Sequence, residues 1–305
     1  MSEKQYRVEN DSMGEIKVPA DKHWGAQTQR AIENFNISGI TMPPEFLQAL
    51  GLLKWAVASA NSDLGLLAKD KSEAIGNSAL EIAKGEHSEE FPVDVFQTGS
   101  ATSTNMNINE VIANLASTKS LDIHPNDDVN MGQSSNDVIP STIHIAATIA
   151  VRKNLLDALS HLQETLEKKA TSLSDIVKTG RTHLMDAMPV TFGQELSAWA
   201  NQIKAVAGQF DETLPKMEKL AIGGTAVGTG VNAHPDLAQT VIALLNQKTD
   251  IEFKSAPDLF MAISFQDVAL ELSANTRSLA VAPVSYTHLR AHETDSYLVC
   301  RLLLE

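Results

Sequence analysis

The amino-acid sequence predicts a mainly all-α fold, a bundle of long helices with a small mixed N-terminal domain. Three observations carry this expectation. The stretch from Ser141 to Thr179 contains neither glycine nor proline, the strongest breakers of regular structure. Within it, Ile143, Ala146, Ala147, Ala150, Val151, Leu155, Leu159, Leu162 and Leu166 keep one helical face apolar. At about 1.5 Å per residue such a helix is roughly 55 Å long, more than the usual diameter of a small domain. Aromatic residues make up only 5% of the chain, so helices this long must bury their faces against one another, often across subunits.

The elements follow in order. "GEIKVPADKHWG" near the N-terminus has turn residues around a short alternating stretch, which suits a strand or hairpin. Phe46, Leu47, Leu50, Leu53 and Val57 then recur at helical spacing, as do Ile75, Leu80, Ile82 and Ala83 more loosely. Residues 105–118 read as another helix. The long helix follows Pro140 and is expected to stop at Gly180, which suits a helix C-cap. A second long helix is expected from Pro189 towards Leu220, with a kink or break at Pro215. Further helices are expected at 236–247 and 258–281. These elements divide the chain into an N-terminal domain (1–138), a central helical domain (139–282) and a tail (283–305). The tail, "PVSYTHLRAHETDSYLVCRLLLE", changes composition and pattern together, and is expected to be foreign to the rest of the chain.

Composition narrows the function. The formal net charge over 305 residues is −14, which argues against a general binder of nucleic-acid backbone. Cys300 is the only cysteine, which excludes a disulfide framework and a cysteine-rich metal site. "MSEKQYRVEND" holds no apolar signal segment and no run is long enough to span a bilayer, so a cytoplasmic protein without membrane contact is expected.

Four segments are rich in uncharged donors. "QTGSATSTNMN", from Gln97 to Asn107, runs into a helix; its hydroxyls suit helix caps and an anion cradle about equally. "HPNDDVNMGQSSND" contains His124 and Asp127, best read as a loop leading to a capped helix, because their spacing matches no strong metal motif. Ser134, Ser135 and Asn136 stand just before the longest helix, where caps and anion donors both occur. "GRTH" places Thr182 and His183 in the connector between two long helices, a position that presents side chains to a cleft. "GGTAVGTGVNAHP" lacks the features of a phosphate-binding loop or a dinucleotide fingerprint, and reads as a close-packed connector.

Together these segments resemble the fumarase/aspartase superfamily, specifically class II fumarate hydratases. The likeness runs from about Tyr6 to Ala282 and rests on "VPADKHWGAQTQRAIENF", "FPVDVFQTGSATSTNMNINEVIAN", "HPNDDVNMGQSSND", "GRTHLMDAMPVTFGQE" and "GGTAVGTGVNAHP", in that order. The resemblance implies a homotetramer whose active sites are each assembled from three subunits. It implies reversible hydration of fumarate to (S)-malate in the tricarboxylic acid cycle, with no metal and no cofactor. Ser100, Ala101 and Thr102, then Ser134, Ser135 and Asn136, then Thr182 take the positions of substrate-binding residues. His183 takes that of the proton donor and acceptor. His124, Pro125, Asn126 and Asp127 match a second, peripheral dicarboxylate site.

Two departures stand out. Ala101 replaces a glycine usual in the first segment. The "GSS-x-MPGKVNP" loop, which carries the catalytic serine together with a lysine and an asparagine, is not in the sequence. A polypeptide of these residues alone is therefore expected to be inactive. The rival readings are an aspartate ammonia-lyase, whose family typically has Gln where His183 stands and another residue at His124, and a non-catalytic helical scaffold.

Overall fold

The computed structural model describes residues 5–183 and 185–292; the N-terminal residues 1–4 and the tail residues 293–305 lie outside it. The expectation of a mainly helical chain holds. An antiparallel hairpin, β1 (Tyr6–Asp11) and β2 (Gly14–Pro19), precedes α1 (Ala26–Asn34), α2 (Pro44–Asp63), α3 (Lys69–Ala83) and α4 (Thr102–Ala116). A π-helical turn (Pro125–Val129) leads to α5 (Ser135–Ala150). A second π turn (Val151–Leu155) and α6 (Leu156–Ser172) follow α5 without a break. Then come β3 (Val177–Thr182), β4 (Met185–Thr191), α7 (Phe192–Met217), β5 (Lys219–Leu220), α8 (Leu237–Thr249), β6 (Lys254–Ser255), α9 (Leu259–Ser264) and α10 (Asp267–His292). No described helix is long and apolar enough to cross a membrane.

The chain divides into two compact units, one of residues up to Ile149 with Met217–Gln266, the other of Ala150–Lys216 with the residues from Asp267 onward. In the first, Leu50, Leu53 and Val57 of α2 pack with Ile75 and Ala79 of α3, Ile108 and Val111 of α4, Val138 and Ile145 of α5, and Val241 and Leu245 of α8. The short parallel pair of β5 and β6 brings Leu220 and Ile222 into this core. In the second, α7 and α10 are joined by Lys216 and Thr213 on Glu271 (2.7 and 3.1 Å) and by Asn275 on Thr213 (2.8 Å).

The structure departs from the sequence expectations in three places. The long helix begins at Ser135, with Pro140 inside it, and ends at Ser172. Its head buries Ser141, Thr142, Ile145 and Thr148, whereas Ile143, Ala146, Ala147 and Ala150 of the expected apolar stripe stay half-buried. Small hydroxyl residues can face a core because their oxygens bond back into the helix: Ser141 to the Asp137 carbonyl at 2.7 Å, Thr142 to Val138 at 2.8 Å.

The second departure is the connector. Gly180 is not a helix C-cap but a residue of β3, at an irregularity in its pairing with β4. A side chain there would meet the Met188 carbonyl at 2.7 Å, so only glycine lets the strands approach. Accordingly Pro189 belongs to β4, and α7 starts at Phe192 and runs through Pro215 to Met217. The third is the end of the described chain. The expected helix at 258–281 is two helices, and α10 continues through Pro283 to His292.

Candidate active site

At the head of α4, Ala101 adopts the left-handed conformation (φ 50°, ψ 35°). The cap and cradle readings of this segment separate residue by residue. Thr98 Oγ1 accepts the Thr102 N–H at 3.1 Å, and Gln97 Oε1 accepts that of Thr104 at 3.0 Å. Gln97 returns its amide to the Thr104 hydroxyl at 2.7 Å. Thr98, Gln97 and Thr104 thus close the start of the helix. Ser100 and Thr102 remain as a pair of hydroxyls 2.9 Å apart, on accessible surface.

At the head of α5, Ser134 and Asp137 share the capping: Ser134 Oγ accepts the Asn136 N–H at 3.2 Å, and Asp137 Oδ1 accepts the Ser134 N–H at 2.9 Å. Asp137 is fully buried, and its other oxygen accepts the N–H groups of Gly223 (3.0 Å) and Thr225 (2.9 Å). Asn136 donates its amide to the Ala226 carbonyl at 2.7 Å. The Gly-rich loop is therefore docked on this helix head, and close packing explains its composition: a Cβ on Gly223 would lie 2.7 Å from that of Ala238. The two donor segments are also joined. Asn105, on the first turn of α4, donates to Ser135 Oγ and to Asn130 Oδ1, each at 3.2 Å.

Below this junction lies a lysine that the sequence reading passed over. Lys54 of α2 is fully buried, and its Nζ donates to Asn130 Oδ1 at 3.0 Å and Gln133 Oε1 at 2.9 Å. Burial pushes its pKa down to about 7, against the opposing pull of the Asp137 charge. Burial likewise pushes Asp137 up, opposed by the N–H groups of Ser134, Thr225 and Gly223 and by Lys54. The available signal was the single charge inside the apolar run "LGLLKWAVASA".

His124, Pro125 and Asn126 line a cavity of about 570 Å³, with Arg7, His23 and Asn114 among the other walls. His124 caps the π turn by accepting the Asp127 N–H on Nδ1 at 3.1 Å, which fits the loop reading of this segment. Its ring also stands 3.3 Å from the Asp127 carboxylate, and its own N–H donates to Asp128 at 2.8 Å. Asp127 itself is not among the cavity walls. His23 Nδ1 pairs with Asn114 at 2.9 Å, whereas Arg7 is engaged by Glu9 and by the carbonyls of Pro19, Lys22 and Trp24.

In the second unit, Thr182 ends β3 opposite Met185, and His183 opens the turn to β4 in the left-handed conformation (φ 50°). Both are exposed. The connector thus delivers the two residues on a hairpin tip, not on a helix end. Histidine is among the residue types that tolerate this conformation better than most, and such strained positions cluster at functional sites. Lys178 and Glu195 pair at 3.0 Å and hold the base of the hairpin to α7.

Residues 14–283 match the family described as Lyase. Curated relatives include the class II fumarate hydratase of Xylella fastidiosa (strain Temecula1), 52% identical over 280 residues, and that of Mycobacterium tuberculosis (strain H37Rv), 52% identical over 278. Each alignment covers 91% of this chain but 59% of the relative, so the chain spans about three fifths of those proteins. Among solved structures, the class II fumarase of Schistosoma mansoni superimposes with a TM-score of 0.90 at 35% identity, covering 94% of this chain and 65% of that one. The cobalt-bound fumarate lyase:delta crystallin of Brucella melitensis gives 0.88 at 38% identity, covering 94% and 64%.

Proposed function

The chain belongs to the Lyase family, and on that premise we propose that it carries the larger part of a class II fumarate hydratase, which interconverts fumarate and (S)-malate in the tricarboxylic acid cycle. The observation that supports this best is the Asn105 amide bonded to Ser135, because it sets the donors at the head of α4 beside those at the head of α5. Two helix N-termini lined with hydroxyls and amides suit a small dianion.

The chemistry follows from the donor set. Loss of water from malate begins when a base, the serine of the loop that the resemblance implies and these residues lack, takes a proton from the carbon beside a carboxylate and leaves an aci-carboxylate with added negative charge. Fixed donors lower the barrier when they stand where that charge develops. Ser100, Thr102, Ser134, Ser135, Asn136 and Thr182 supply them, with the Ala101 backbone between the first two. His183 gives its proton to the leaving hydroxyl and takes one from water in the reverse direction. Its place on an exposed hairpin tip lets it serve a site on a neighbouring copy. The half-buried stripe of Ile143, Ala146, Ala147 and Ala150 offers apolar surface for the helix packing of a homotetramer. His124, Pro125 and Asn126 form a peripheral dicarboxylate site in which Asp127 steadies the His124 ring, a cytoplasmic location fits the reaction, and residues 283–305 are foreign to the enzyme.

The test uses this chain through Ala282, continued by the remaining C-terminal part of the Mycobacterium tuberculosis relative. Formation of fumarate from malate by this completed protein is expected, with none from the 305 residues alone. Release of ammonia from aspartate without malate turnover would overturn the assignment in favour of an ammonia-lyase.

A further inference from the structure

Of the lysines and arginines described, only Lys54 is buried. Leu50, Leu53 and Val57, its neighbours along α2, belong to the apolar core, so its ammonium group is desolvated unless partners offset the loss of water. A methionine would fill the same space without that cost. The partners are specific. Asn130 and Gln133, which take the lysine's N–H groups, belong to the turn immediately before Ser134. Gln133 bonds onward to the Val129 carbonyl at 2.9 Å, and Asn61, two helical turns after Lys54, holds the Met131 carbonyl at 3.1 Å. Helix α2 therefore grips the turn 129–133 at two points of one face. Asn130 also meets the Asn105 amide that reaches Ser135.

Two features mark this network as more than a brace. Buried Asn61 Oδ1, Asn105 Oδ1 and Thr225 Oγ1 find no partner among the described residues, and all three belong to the segments joined at this turn and at Asp137. Among the described residues, the charge that opposes the effect of burial on Lys54 is that of Asp137, which caps the donor segment itself.

Resting on the function proposed above, we infer that Lys54 is a positioning residue of the anion site: through Asn130 and Gln133 it fixes the turn that presents Ser134, Ser135 and Asn136. The lysine touches no substrate; it keeps the donors preorganised, so its loss weakens binding in the ground state and the transition state alike.

The experiment compares the completed protein with its Lys54→Met variant. If that variant does not fold, Lys54→Gln, an uncharged donor too short to reach both Asn130 and Gln133, supplies the comparison. Calorimetry measures binding of succinate, a dicarboxylate that cannot lose water, and malate turnover gives KM and kcat. The expected result is a rise of about tenfold in succinate Kd and malate KM, with kcat changed less. A folded variant with unchanged Kd and KM and only a lower melting temperature would show Lys54 to be structural and overturn the inference. An unmodified protein that binds no succinate overturns it as well. Succinate binding without malate turnover refutes the proposed reaction alone, and the two Kd values still decide the role of Lys54.

Discussion

Asp137 Oδ2 receives the backbone N–H of Thr225 at 2.9 Å, across 88 residues of sequence. One buried carboxylate thereby ties the head of α5 to the Gly-rich loop while capping Ser134 with its other oxygen. Asp137→Ala strands three N–H donors and leaves Lys54 without its counter-charge. A loss of about 3 kcal/mol or more is expected, since each buried N–H left without its carboxylate acceptor costs about 1–3 kcal/mol. Urea unfolding measures it. Limited proteolysis is expected to cut the released loop around Ala226, and an intact loop would show that Asp137 does not hold it.

Glu110 plays a similar part from the middle of α4. Its carboxylate accepts the N–H groups of Gly25, Gln27 and Thr28 at 2.9, 2.9 and 3.0 Å and the Thr28 hydroxyl at 2.6 Å, so a side chain from α4 caps α1. Glu110→Ala should cost about 2 kcal/mol or more, because buried donors lose a charged acceptor. A melting temperature unchanged within error would contradict this.

Ala101 bears the cost of a left-handed backbone without being glycine. Ala101→Gly is expected to stabilise the protein by about 1 kcal/mol, the penalty an L-residue carries in that region. Thermal unfolding detects it as a higher midpoint, and a lower midpoint would mean that the methyl group contributes packing that outweighs the strain.

The buried lysine sets a pH dependence. Its pKa falls from 10.5 in the unfolded chain to about 7 in the fold. Between those values the unfolded chain holds a proton that the folded one lacks, so stability should rise with pH from about 7 to about 10 and be flat for this group below 7. The contribution is fully present above the unfolded value and is lost as pH falls through the folded one. Urea midpoints across that window should climb in the unmodified chain and climb less in Lys54→Met. Equal slopes would mean that the lysine is not buried uncharged.

The helices were legible in the sequence where one face was consistently apolar, as in α2 with Leu50, Leu53 and Val57. The hairpin of β3 and β4 was not, because "VKTGRT" is exposed along most of its length and carries no period-two pattern to betray a strand. Periodicity found only part of the buried face of α5, since Ser141, Thr142 and Thr148 are inward-facing hydroxyl residues that a hydrophobicity count sets aside. The hydroxyls and amides of the donor segments were visible as residue types, but their partition into caps and free donors depended on where Thr98 and Gln97 pointed. Asp137 and Lys54 escaped notice because a buried charge looks like any other until its partners from distant segments are in place.

The central claim is that the donors of Ser134 and the imidazole of His183 serve one substrate site assembled from more than one copy of the chain. Mixing two inactive versions of the completed protein, Ser134→Ala and His183→Asn, through dissociation and reassembly tests it most directly. Malate turnover should return in the mixture while each version alone stays inactive, because some sites then draw an intact Ser134 from one copy and an intact His183 from another. A mixture as inactive as its parts would contradict the account.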